Sequence, residues 1–147
     1  MMKATKSLIL LAIISAIGVL AQQVFVQAAD STNPIARNKL AVLWTSGDPE
    51  VANKVCLMYT SAAKKAKWFD EVVLIVWGPS AKLLSQDKDL QAAVKSMIAA
   101  GVTVQACVVC ADMYGVSDSL RQLGIEVKGM GQPLSDYLKT DWKVLTF

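Results

Sequence analysis

The chain has 147 residues, 15 basic and 12 acidic, and no histidine. The missing imidazole excludes Cys–His and Ser–His–Asp catalysis and any histidine-ligated metal. The length suits one domain with a real core rather than two.

Lys3 and Lys6 precede an apolar stretch, Leu8 to Leu20, and a more polar segment ending Val26-Gln27-Ala28. Small or apolar residues three before and one before the cut fit a secretory signal peptide over residues 1–28, cleaved after Ala28. The apolar run is short for a membrane span, and no cysteine occurs before Cys56 to carry a lipid near the cut. The expected product is a periplasmic or secreted protein with no stable membrane association after cleavage. It retains 147 less 28, or 119, residues, with 13 basic against 12 acidic side chains. A charge near +1 gives no reason to invoke nucleic acid or a membrane surface as partner.

Residues 29–38 read as a polar, proline-containing lead-in. Leu40-Ala41-Val42-Leu43-Trp44 follows as a strand, continuous in its apolar character as expected for a sheet covered on both faces. Asp48 and Pro49 are a helix start. Val51, Val55, Met58, Tyr59 and Ala62 then recur at helical spacing down to about Lys67. Val72 to Trp77 is a second strand, closed by Gly78-Pro79. A helical region from Ser80 to Ala100 breaks near Ser85–Asp87 and turns Leu90, Val94, Met97 and Ile98 inward. Gly101 ends it, and Val102 to Val108 is a third strand. Ala111 to Leu123 is partly helical, interrupted at Gly115, with Asp118 available to restart it. Ile125-Glu126-Val127 is a short fourth strand, Pro133 to Thr140 a short helix, and Trp142 to Phe147 a last strand.

Strand–helix alternation with short connections indicates an α/β fold, three layers deep (α/β/α), around a mainly parallel five-stranded sheet. Right-handed crossovers gather four loops at the C-terminal ends of the strands: residues 45–48, 77–80, 107–110 and 129–132. Open α/β sheets bind ligands at that edge, near a topological switch point.

Cys107-Val108-Val109-Cys110 lies in the third of these loops. A thiol between a strand end and a helix start faces backbone N–H groups and the positive end of the helix dipole, which favours the nucleophilic thiolate. The spacing alone is equally compatible with an inert, structural pair, and an exported compartment admits a Cys107–Cys110 disulfide that leaves Cys56 odd. Two thiolates without histidine argue against zinc. Cys56 flanks an apolar helix face and reads as a small buried hydrophobe. Asp112, if close, raises the pKa of a neighbouring thiol. Trp44 and Trp77 read as packing, and Gly129-Met130-Gly131 is too short for a phosphate-cradling fingerprint. Lys64, Lys65 and Lys67 read as a solvated helix end complementing the dipole.

The run Gly101-Val102-Thr103-Val104-Gln105-Ala106-Cys107, with Gly115-Val116 eight residues after the first cysteine, resembles the DsrE/DsrF-like sulfur-relay family. The resemblance extends through Leu123-Gly124-Ile125-Glu126-Val127 to Lys143-Val144-Leu145-Thr146-Phe147 and makes residues 39–147 a DsrE-like domain. It implies a small α/β/α domain that assembles as a homo-oligomer, a trimer or hexamer. It also implies sulfur carried as a persulfide on the cysteine ending the third strand, here Cys107. Cys110 stands where relatives vary. The export signal departs from the cytoplasmic setting of the sulfur-relay members.

The expectation is therefore an exported sulfur-carrier or thiol-redox protein, a sulfurtransferase-like carrier rather than a turnover enzyme. Cys107 accepts sulfane sulfur and Cys110 resolves it. Donor and acceptor proteins are its implied partners; no cofactor and no metal is implied. A non-catalytic domain binding a small ligand or a protein at the same loop edge is the competing expectation.

Overall fold

Each of the five apolar runs forms a strand in the computed structural model, which describes residues 38–147. The strands are β1 (Lys39–Trp44), β2 (Glu71–Val76), β3 (Thr103–Cys107), β4 (Glu126–Lys128) and β5 (Lys143–Thr146). They pair in the order β4-β3-β2-β1-β5, every pair parallel. The expected signal peptide and most of the lead-in lie outside the described residues. Among the described residues, no helix is long and apolar enough to cross a membrane.

Helix α1 runs over residues 49–65. Asp48 caps it, its Oδ1 accepting from the N–H groups of Glu50 at 2.7 Å and Val51 at 3.0 Å. The middle of α1, Ala52–Leu57, is wound as a π-helix. That wider turn absorbs an extra residue and shifts the inward stripe. Ala52, Cys56, Leu57, Thr60 and Ala63 are buried, whereas Val55 and Met58, expected inside from regular spacing, are exposed. Helices α2 (Pro79–Gln86) and α3 (Lys88–Ala99) meet at Asp87, which caps α3 through Asp89 N–H and Leu90 N–H. The break falls where the sequence placed it. Helix α4 (Val108–Met113) starts earlier than expected, and α5 (Ser117–Gln122) follows Gly115, whose φ of 67° stops α4. Helix α6 spans Gly131–Lys139.

The strand order sets the layers. From β1 to β4 the chain steps always in one direction, so right-handed crossovers stack α1 to α5 on one face. The return from β4 across to β5 puts α6 alone on the other. The side chains follow this division. Leu40, Val42, Trp44, Leu74, Val76, Val104 and Ala106 join the buried residues of α1 to α5. Ala41, Val73 and Ile75 instead pack with Cys107, Met130, Leu134 and Tyr137. The fold is thus α/β/α with unequal layers, and the cysteine loop lies on the thinner side. Polar bonds anchor α6 there. Tyr137 donates to Gln105 Oε1 at 3.2 Å, and Gln105 Nε2 donates to Glu126 Oε2 at 2.8 Å. The neighbouring Lys128 ammonium and the Gln105 amide hold the Glu126 carboxyl below the usual carboxylate range.

Candidate functional site

The four expected loops do meet. Gly47 lies so near Pro79 that a Cβ on it would come within 3.1 Å of the proline Cβ. Gly78 reaches Cys110, and Met130 packs in one cluster with Cys107 and Cys110. The sheet's switch point is elsewhere, between β1 and β5, where Thr45 and Phe147 continue the pairing of the two strands. The Phe147 carbonyl accepts from Thr45 N–H at 2.7 Å and Thr45 Oγ1 at 2.8 Å. Cys107 stands two strands away on β3. The expected association of the cysteines with the switch point is therefore corrected: they lie at the same edge, at the ends of β2 and β3.

Cys107 is the last residue of β3 and the N-cap residue of α4, 4% exposed. Helix α4 starts at Val108, not near Cys110 as the sequence suggested, because Val108 and Val109 read equally well as strand. The cap itself has no side-chain hydrogen bond, so the first-turn N–H groups of α4 have no side-chain oxygen competing for them. Cys110, three residues on, is half-buried. The two thiols interact directly and both are free. Burial and the Cys107 sulfur push the Cys110 thiol up; the N–H groups of Gly78 and of Cys110 itself pull the other way. At neutral pH the Cys110 thiol keeps its proton.

Gly78 was legible as part of the 77–80 loop at this edge, but not as a group acting on Cys110. Its φ of 67° and ψ of −132° suit glycine, and its N–H pulls the Cys110 thiol down. Ser80 secures the turn: its hydroxyl donates to the Trp44 carbonyl at 2.6 Å and accepts from Trp77 N–H at 3.0 Å.

The remaining candidates separate from this pair. Cys56 is fully buried on the inward face of α1, and burial pushes its thiol up to about 12 against the opposing Thr60 contact. It stays protonated at neutral pH. Asp112 does not act on Cys110; its Oδ1 accepts from Ser117 Oγ at 2.5 Å and ties α4 to α5. Trp44 is packed in the core, as read from the sequence, and Trp77 packs beside the cysteines. Met130 is buried against the pair, a role that its place in a short glycine turn did not suggest. Val109, Met113 and Tyr114 are exposed around Cys110, Met113 to 80%. Beside them a hollow of about 360 Å³ opens between Gly47, Pro79, Lys82, Leu83, Gln86 and Tyr114. Among the described residues, no group of three or more Cys, Asp or Glu is placed to hold a metal ion.

A family model described as the DsrE/DsrF-like family matches residues 38–147. Comparison with curated proteins gives no match. Among solved structures, the chain is similar to a conserved protein of unknown function, BT1422, from Bacteroides thetaiotaomicron. The identity is 34% and the TM-score 0.72, over 75% of this chain and 95% of that one. The ychN protein from E. coli shares the fold, with a TM-score of 0.59 and 18% identity over 75% of this chain and 99% of the other.

Proposed function

The chain belongs to the DsrE/DsrF-like family, and from that premise we propose that it is a sulfur carrier loading a persulfide on Cys107. The observation that carries this reading is the asymmetry of the pair. Cys107 is buried at the strand end as the N-cap residue of α4, while Cys110 is only half-buried beside it.

The Cys107 thiolate attacks the sulfane sulfur of a donor persulfide, forming Cys107–S–SH and releasing the donor as its thiolate. No net oxidation occurs. An acceptor thiolate then takes the outer sulfur and leaves Cys107 as the thiolate again. Alternatively, Cys110 gives up its proton and attacks the inner sulfur. This forms the Cys107–Cys110 disulfide and releases hydrosulfide, and an external dithiol must then reduce the pair. Either route makes the protein a stoichiometric transfer partner, exported by the segment 1–28 and assembled as a trimer or hexamer.

Mass spectrometry of the reduced chain after anaerobic exposure to a sulfane donor tests the reading. One added sulfur on Cys107 is expected; no adduct overturns it. The exposed Val109, Met113 and Tyr114 support a second reading, a protein-binding edge without sulfur transfer, which survives only if no adduct forms.

A further inference from the structure

The opposite edge of the sheet, where the strands begin, has a character of its own. Helix α1 ends there in Lys64-Lys65-Ala66-Lys67-Trp68-Phe69. The three lysines, with Phe69, Asp70 and Ala100, line a hollow of about 430 Å³. Asp70, the one carboxylate among these residues, accepts the Asn38 N–H on Oδ2 at 3.0 Å. Among the described residues, no carboxylate forms an ion pair with Lys64, Lys65 or Lys67.

Backbone geometry holds the cluster in place. Gly101, at φ 85°, leaves room for Lys64: a Cβ there would come within 3.3 Å of Lys64 Cε and 3.7 Å of its Nζ. Lys67 closes α1 at φ 56°, a left-handed position that favours glycine. One cation suffices to complement a helix end; here three gather, one of them in an unfavourable backbone conformation. Beside them Trp68 is 55% exposed, its ring centroid 6.0 Å from that of Tyr59. An indole at headgroup level beside lysines is the side-chain pairing of a membrane interface.

We propose that this edge is a peripheral membrane-binding surface. Lys64, Lys65 and Lys67 take the phosphate headgroups of anionic lipids, and Trp68 settles at headgroup level. The Cys107–Cys110 edge is thereby turned toward the aqueous side. The near-neutral total charge of the domain conceals this patch because acidic residues elsewhere offset it.

Residues 37–147 form a compact unit, and the Bacteroides relative, 95% of which is covered by the match, is essentially this domain alone. That domain, free of the apolar segment, is the material for vesicle flotation. It should float with vesicles of phosphatidylcholine mixed with phosphatidylglycerol and stay behind with phosphatidylcholine alone. Near an anionic surface each lysine contributes about fivefold in partition. The triple variant Lys64→Gln, Lys65→Gln, Lys67→Gln should therefore lose about 100-fold, and Trp68→Ala should bind more weakly. Lys65→Gln alone, at an exposed position, should lose about fivefold and serves if the triple variant fails to fold. Absence of flotation, equal flotation on both vesicle types, or undiminished binding of the lysine variants overturns the proposal. Release by millimolar inorganic phosphate also overturns it, and assigns the hollow to a free anion.

Discussion

The backbone N–H of Gly78 pulls the Cys110 thiol down against its burial, so the turn after β2 acts on the first turn of α4. The contact depends on a backbone conformation at φ 67° that a side chain strains by about 1–3 kcal/mol. Gly78→Ala has open space for its methyl group, so its effect is conformational. Rotation of the N–H away from the sulfur removes one of the groups that pull the Cys110 thiol down. Alkylation of Cys110 by iodoacetamide should then need a higher pH than in the parent chain, and thermal melting should fall by a few degrees. An unchanged pH profile would show that the loop does not tune this thiol.

The two cysteines differ in surroundings and should differ in chemistry. Cys107→Ser is expected to abolish sulfur loading, since the serine hydroxyl is not ionised at neutral pH. Cys110→Ser should still load, and should then accumulate the persulfide or a mixed disulfide because the resolving thiol is gone. Mass spectrometry of each reduced variant after exposure to a sulfane donor distinguishes these outcomes. If Cys110 loads in the Cys107→Ser chain while Cys107 stays unmodified in the reciprocal variant, the roles are reversed.

How much of this was legible before the structure follows from what each signal encodes. The strands were readable because parallel strands buried on both faces are continuous apolar runs, and Leu40–Trp44 and Val72–Val76 are such runs. The α2–α3 break was readable because Asp87 is a good cap. The inward face of α1 was not, because regular spacing carries no notice of a π turn at Ala52–Leu57. The start of α4 was not, because Val108 and Val109 favour a strand as readily as a helix. Cys107 and Cys110 were found from their spacing, and the loops that carry Gly78 and Met130 from the strand–helix alternation, but that these two residues face the pair was not. That depends on the backbone and side-chain geometry inside each loop, which spacing does not encode. The wrong expectation for the switch point has another origin: it depends on β5 pairing with β1, which is fixed by topology rather than by local sequence.

Assembly should be visible at the surface of α4. Val109 and Met113 are one helical turn apart and exposed, with Tyr114 beside them. Family membership makes a trimer or hexamer the expected state, and this stripe is an apolar surface available to it. Light scattering should give a multiple of the protomer mass at micromolar concentration. Met113→Glu, which places a charge on that stripe, should shift the distribution toward the monomer if the stripe is covered. A monomeric parent chain would refute the assembly.

Cys56 supplies a test of the core that is independent of the sulfur chemistry. Its thiol is pushed up from 9.0 to about 12 by burial on the inward face of α1. The folded state therefore keeps a proton that the unfolded chain releases. Below the unfolded value both states are protonated and the group contributes its full stabilisation. As pH rises through the window between about 9 and about 12, the unfolded state binds fewer protons and stability falls. Three pKa units correspond to about 4 kcal/mol at the upper limit. Lysine and tyrosine titration also act in this range, so the readout is a difference. Cys56→Ala should lower stability at pH 7 by about 1–2 kcal/mol through the lost sulfur contacts. It should also flatten the decline of stability above pH 9 relative to the parent. Denaturant unfolding at a series of pH values measures both effects. Parallel declines in the two proteins would mean that Cys56 ionises in the folded state as readily as in the unfolded one.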